Sequence, residues 1–234
     1  MALLARDLSR MPTPWFSSRM VRFKDRRDAG EKLAEALTPE LQDVSDVLIL
    51  GIPRGGVVVG DVLADRLGLP LDVVAVEKVG APWNPELAIG AVGEGDALWL
   101  DESLVSMLAP GKLEEAIERE RRELEAKLVS IRAVRSRQLL EGRTVVVVDD
   151  GIATGSTVRA ALLALRGARP AACILAVPVG PPETIVGLAG VADSLVCPMQ
   201  PAAFYAVGQW YDTFGQVSTP EVLAILERYE VGCS

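Results

Sequence analysis

The chain contains no histidine. Acid–base chemistry by an imidazole is therefore excluded, and so is any zinc site that needs one. Its three cysteines, Cys173, Cys197 and Cys233, stand far apart and form no C-x-x-C pair. An odd, scattered set gives no disulfide framework and fits a reducing, cytoplasmic setting. Basic residues are outnumbered: 24 Lys and Arg face 32 Asp and Glu, for a net charge of −8. Broad nucleic-acid binding needs a basic face to neutralise phosphates, so no nucleic-acid partner is expected. A small anion is still admissible, because backbone N–H groups bind phosphate without net positive charge. Aromatic residues make up only 5% of the chain, whereas Val, Leu and Ala are plentiful. That balance suits a parallel sheet covered by helices better than an all-β sandwich. Residues 1–18 hold Pro12 and Pro14 and no long apolar run. They read as a loosely attached arm, residues 1–20, and as neither a signal peptide nor a membrane helix.

What is present is enough for one large core: 234 residues, half of them hydrophobic. One domain over residues 21–234 is expected. Asp28 and Glu31 suggest a capping box opening a helix that Pro39 ends, with Ala29, Leu33, Ala36 and Leu37 on one face. Strands are expected at 46–51, 71–76, 143–148, 171–177 and 194–197, and helices at 57–67, 156–166 and 182–189. Thr219 would cap a last helix over 220–229. Residues 80–96, rich in Gly and Pro, read mostly as loop, with short strands near 87–92 and at 97–100. Residues 112–140 predict one long amphipathic helix on Leu113, Ile117, Leu124, Leu128 and Ile131. Its arginines alternate with acids, as on a solvated face. Strands alternating with helices imply an α/β fold with a doubly wound, mostly parallel sheet.

The most informative segment is VVVVDDGIATGST, residues 145–157. A buried strand ends in two adjacent carboxylates, Asp149 and Asp150, and ligands of open α/β sheets bind beyond such strand ends. Gly151 and Gly155 let the backbone turn or approach a ligand closely. Ala153, Thr154, Ser156 and Thr157 complete a loop that opens a helix, whose N–H groups favour an anion. The pattern is a phosphate cup with two acids at its lip, suited to ribose hydroxyls or to a magnesium ion shared with them. It is a poor P-loop: three residues, not four, separate its glycines, and Ser156 stands where lysine is needed. A second strand-to-helix loop, Gly51-Ile52-Pro53-Arg54-Gly55-Gly56, offers backbone N–H groups and one guanidinium to a phosphate.

The 145–157 string resembles the phosphoribosyl pyrophosphate (PRPP) signature of type I phosphoribosyltransferases. RFKDRRDAGEKLAEAL, GIPRGGVVVG, VEKVGAPWNPELAIGAVGEG and YAVGQWYDTFGQVS extend the resemblance to one bacterial branch of that family, over about residues 21–227. The resemblance implies that Asp149 and Asp150 hold the ribose hydroxyls and that Ala153 to Thr157 hold the ribose phosphate. It implies that Pro53, Arg54, Gly55 and Gly56 form a pyrophosphate loop. Lys78, placed in a loop expected to close over the substrate, would neutralise the departing pyrophosphate, or is an ordinary surface lysine. Glu77 precedes it where the branch commonly has a basic residue. A hood over residues 198–218 would hold a base, with Phe204, Tyr205 and Trp210 as stacking candidates. Each of those rings, taken singly, more often packs a small core of its own. Members that act on 6-oxopurines usually carry an aspartate where this chain has Ala153.

The activity so implied is magnesium-dependent transfer of phosphoribosyl from PRPP to a base-like acceptor, with release of pyrophosphate. The alternative is a non-catalytic sensor of PRPP or a nucleotide on the same fold. The long charged helix suggests a homodimer contact as a further role. Partners are then PRPP and a small acceptor, with no membrane.

Overall fold

The computed structural model describes residues 22–95 and 97–230, so the expected arm (1–20) and Cys233 lie outside the described residues. Eight strands and seven α-helices alternate among them: α1 (Arg26–Leu41), β1 (Val47–Gly51), α2 (Gly55–Leu67), β2 (Leu71–Val73), β3 (Val76–Ala81), β4 (Asn84–Gly93), β5 (Leu98–Leu100), α3 (Glu102–Val105), α4 (Lys112–Arg132), β6 (Thr144–Val148), α5 (Ser156–Arg166), β7 (Ala172–Ala176), α6 (Pro182–Leu188), β8 (Ser194–Val196) and α7 (Thr219–Glu230). Five strands form a parallel sheet in the order β2-β1-β6-β7-β8. The doubly wound α/β expectation holds.

The run of valines explains the layering. In a strand, successive side chains point to opposite faces. Val146 and Val148 join Val47 and Ile49 in one core, under α1, α2 and α7. Val145 and Val147 join Leu48 and Leu50 in another, under α5 and α6. All five residues of β1 and of β6 are buried, as a sheet covered on both faces requires.

Between β1 and β6 the order of strands reverses. From β1 the chain winds out to β2; from β6 it winds the other way to β7 and β8. A crevice forms beyond the strand ends at such a reversal, because the two connections diverge.

The structure corrects several expected boundaries. Helix α1 starts at Arg26, with Asp25 as its cap accepting N–H groups of Arg27 and Asp28, and it runs through Pro39. Asp28 lies in the first turn and accepts the N–H of Lys24 instead. Helix α7 includes Thr219; the hydroxyl of Ser218 caps it by accepting the N–H of Glu221. Strand β2 ends at Val73, and the stretch expected mostly as loop is an antiparallel sheet, β3-β4-β5, in which the short strands expected near 87–92 and at 97–100 fall in β4 and β5. Burial of Val79, Ala81, Ile89, Ala91 and Val92 outweighed its glycines, and a bulge at Gly80 absorbs the irregularity. Helix α4 stops at Arg132, not near 140, because its apolar stripe ends at Ile131. Beyond it Arg135 turns inward, fully buried, and donates to the carbonyls of Leu71 and Tyr229.

Candidate functional site

The loops after β1 and β6 meet at the crevice. The N–H of Ile52 donates to the carbonyl of Val148 at 2.8 Å, tying the first loop to the end of β6. Helix α2 then starts against the acids. A Cβ on Gly55 would run into Asp150 Oδ2, and one on Gly56 would run into the Val148 carbonyl oxygen. Only residues without a side chain permit that approach. The glycine pair therefore forms the first turn of α2 rather than a preceding loop. Arg54 stands exposed at the rim beside it.

Asp149 and Asp150 sit side by side, both partly buried. Burial, then the neighbouring Asp150 charge, pushes the Asp149 carboxyl up to about 8. Burial raises Asp150 too, against the opposing pull of Arg26. Arg26, from α1, donates Nε to Asp150 Oδ2 at 2.7 Å. Sequence reasoning missed this residue, because the partners are 124 positions apart and neither string signals the other. The Tyr211 hydroxyl donates to the Asp150 carbonyl. Two adjacent carboxylates that resist joint ionisation make a hard oxygen donor set that fits magnesium. A separate acid group on β3 and α4, Glu77, Glu120 and Glu123, does not include this pair.

The second loop follows at once. Gly155 adopts a left-handed φ of 74° immediately before α5, and a Cβ there would meet Thr184 at 2.9 Å. Thr154 Oγ1 and Ser156 Oγ are 3.1 Å apart, and Thr157 is exposed in the first turn. The Ala153 carbonyl accepts the Thr184 hydroxyl at 2.8 Å, which braces the loop from α6. Gly151 is held between strand ends, with Val207 of the hood 2.5 Å from where its Cβ would lie. The start of α2 therefore lies against the acids, and the 151–157 loop follows directly from them.

The hood candidates separate. Trp210 and Tyr211 are buried with Phe23, Ala29 and Val179 in a small core, against which Phe204 packs. Phe204 stacks on Trp210 with ring centroids 6.2 Å apart. Tyr205 is exposed. Phe214, nearer the acids, lies 3.9 Å from the Arg26 guanidinium and contacts Tyr211. Lys78 is on strand β3 opposite Ala91, not in a loop. A cleft of about 510 Å³ beside the glycine loop is lined by Arg54, Glu77, Lys127 and Thr157 among others, and not by Lys78. Glu77 there accepts from Lys127 at 2.6 Å.

The phosphoribosyl transferase domain family matches residues 23–198. A Mycobacterium tuberculosis protein provisionally named a phosphoribosyl transferase, found in two strains, is 44% identical over 208 residues. The alignment covers 88% of this chain and 46% of the relative, so the chain spans about half the length of the curated relatives it matches. The crystal structure of a Thermus thermophilus protein is 45% identical with a TM-score of 0.84, covering 89% of this chain and 99% of that one. No helix among the described residues is long and apolar enough to cross a membrane.

Proposed function

The chain belongs to the phosphoribosyltransferase family, and from that premise we propose that it transfers phosphoribosyl from PRPP to a nitrogen of a small base-like acceptor. The observation that carries this reading is the close approach of two strand-end loops at the sheet's reversal point. There the Asp149–Asp150 pair meets the Gly55–Gly56 turn and the 151–157 loop. Asp149 and Asp150 hold the ribose hydroxyls. The N-terminal N–H groups of α5, with Thr154, Ser156 and Thr157, hold the ribose phosphate. The start of α2 and Arg54 hold the pyrophosphate.

In the reaction a bond forms between the acceptor nitrogen and the anomeric carbon, and the bond from that carbon to pyrophosphate breaks. The site fixes the reactants in line and stabilises the leaving group. Magnesium, when bound at the acids, would offset charge on the ribose and pyrophosphate oxygens. The acceptor's proton leaves to water or to a pyrophosphate oxygen, since no histidine exists to take it. Pyrophosphate release, assayed over purines, pyrimidines and small aromatic amides with PRPP and magnesium, tests the proposal. Acceptor-dependent release supports it. PRPP binding with no release for any acceptor would favour the sensor alternative.

A further inference from the structure

Arg26 reaches into the site from an element to which no role has been given. Its side chain is 13% exposed, and it does three things at once. Nε donates to Asp150 Oδ2 at 2.7 Å. A terminal nitrogen donates to the Gly215 carbonyl at 2.8 Å. The guanidinium plane rests 3.9 Å from the centre of the Phe214 ring. It also borders the glycine turn, since a Cβ on Gly55 would fall 3.1 Å from its Nε. A guanidinium suits this task because its donors point in fixed directions in one plane, and that plane stacks on rings.

We propose that Arg26 is a positioning residue for PRPP: it fixes the carboxylate plane of Asp150 toward the ribose and joins that acid to the hood through Gly215 and Phe214. The inference rests on the proposed function and adds a residue and a link to it. Arg26 engages Oδ2 from the α1 side. The hood is tied to the same acid a second time by the Tyr211 hydroxyl on the Asp150 carbonyl. The acid and the hood are therefore linked through both Arg26 and Tyr211. The charged and titratable groups around Asp150 are Arg26, the adjacent Asp149 and the Tyr211 hydroxyl, with Asp25 further out. Arg26 supplies the positive charge among them and favours the ionised form of both acids.

The test is calorimetric titration of the whole chain with magnesium and each of PRPP, ribose 5-phosphate and pyrophosphate. It compares the unmodified protein with Arg26→Ala and Arg26→Lys at one pH. Arg26→Ala should weaken PRPP and ribose 5-phosphate by roughly tenfold or more and leave pyrophosphate little changed. Arg26→Lys should recover part of the affinity. Equal losses for all three ligands, an unchanged PRPP affinity, or no recovery with lysine would each overturn the inference. Failure of the unmodified protein to bind PRPP would overturn the proposed function and this inference with it; indifference of the variants alone would overturn only the role of Arg26.

Discussion

Asp149 is a carboxyl group held where its charge is disfavoured by burial and by Asp150. The folded chain keeps that proton up to about pH 8, whereas the unfolded chain loses it near 4. Between those values the folded state binds more protons, so this group makes stability fall as pH rises. Asp149→Asn should remove the effect. We expect the ligand-free variant to be more stable than the unmodified chain at pH 8, by about 1 kcal/mol or more, and to show a flatter Tm between pH 5 and 8; parallel melting curves would contradict this. Asp150→Asn should weaken PRPP binding by about tenfold or more, while Cys173→Ser should leave it near the original value. Cys173 is buried in the second core, its thiol pushed up to about 11, and it faces no opening. Titrations of the two variants side by side decide the point. The acids were legible because strand, acids, glycines and hydroxyls lie in one unbroken string. Arg26 was not, because a guanidinium–carboxylate contact between α1 and the end of β6 leaves no local pattern.

At the scale of elements, α2 begins where two glycines let it rest on β6. A methyl group on Gly56 would meet the Val148 carbonyl and the Asp149 Cα, both backbone and unable to swing aside. Gly56→Ala should therefore cost about 1–3 kcal/mol in urea unfolding and also weaken PRPP binding. Gly187, in α6, has open space where its Cβ would go. Gly187→Ala should be neutral or stabilise by up to about 1 kcal/mol. A larger loss at Gly187 than at Gly56 would show that the close approach is not what constrains α2. Helix α4 shows the limit of periodicity. Its stripe was read from Leu113 to Ile131, where the helix ends, but the reading carried the helix on to 140. Arg132 is held by Asp72 and Glu94, and Arg135 by the carbonyls of Leu71 and Tyr229. Arg135→Ala should destabilise the fold by on the order of 3 kcal/mol, since it strips buried carbonyls of their donor; a urea midpoint close to that of the unmodified chain would contradict it. Of the β3–β4 hairpin little beyond the stretch near 87–92 was read as strand for a related reason, because its glycines and prolines are local signals and its pairing is not.

For the whole molecule, alternating strands and helices announced the parallel sheet, but the strand order came only with the structure. That order turns two loops, about a hundred residues apart in sequence, into one site at the reversal between β1 and β6. The hood likewise draws on both ends of the described chain: Phe23 and Lys24 exchange backbone hydrogen bonds with Trp210, Asp212 and Thr213. Its rings mostly pack one another, so the acceptor's identity has to be sought in the 151–157 loop. There Ala153 offers a methyl group, which neither takes nor gives a proton. Hypoxanthine and guanine should accordingly turn over at well under about 1 per second, the low end of ordinary turnover; faster turnover of either would refute this. All of these expectations depend on PRPP occupying the site, and thermal unfolding of the unmodified chain with PRPP and magnesium tests that most directly. At a hundred times its dissociation constant the ligand should stabilise the fold by about 2.7 kcal/mol, with little effect on Asp150→Asn at the same concentration. An unchanged Tm at millimolar PRPP and magnesium, or an equal shift in both proteins, would contradict the account.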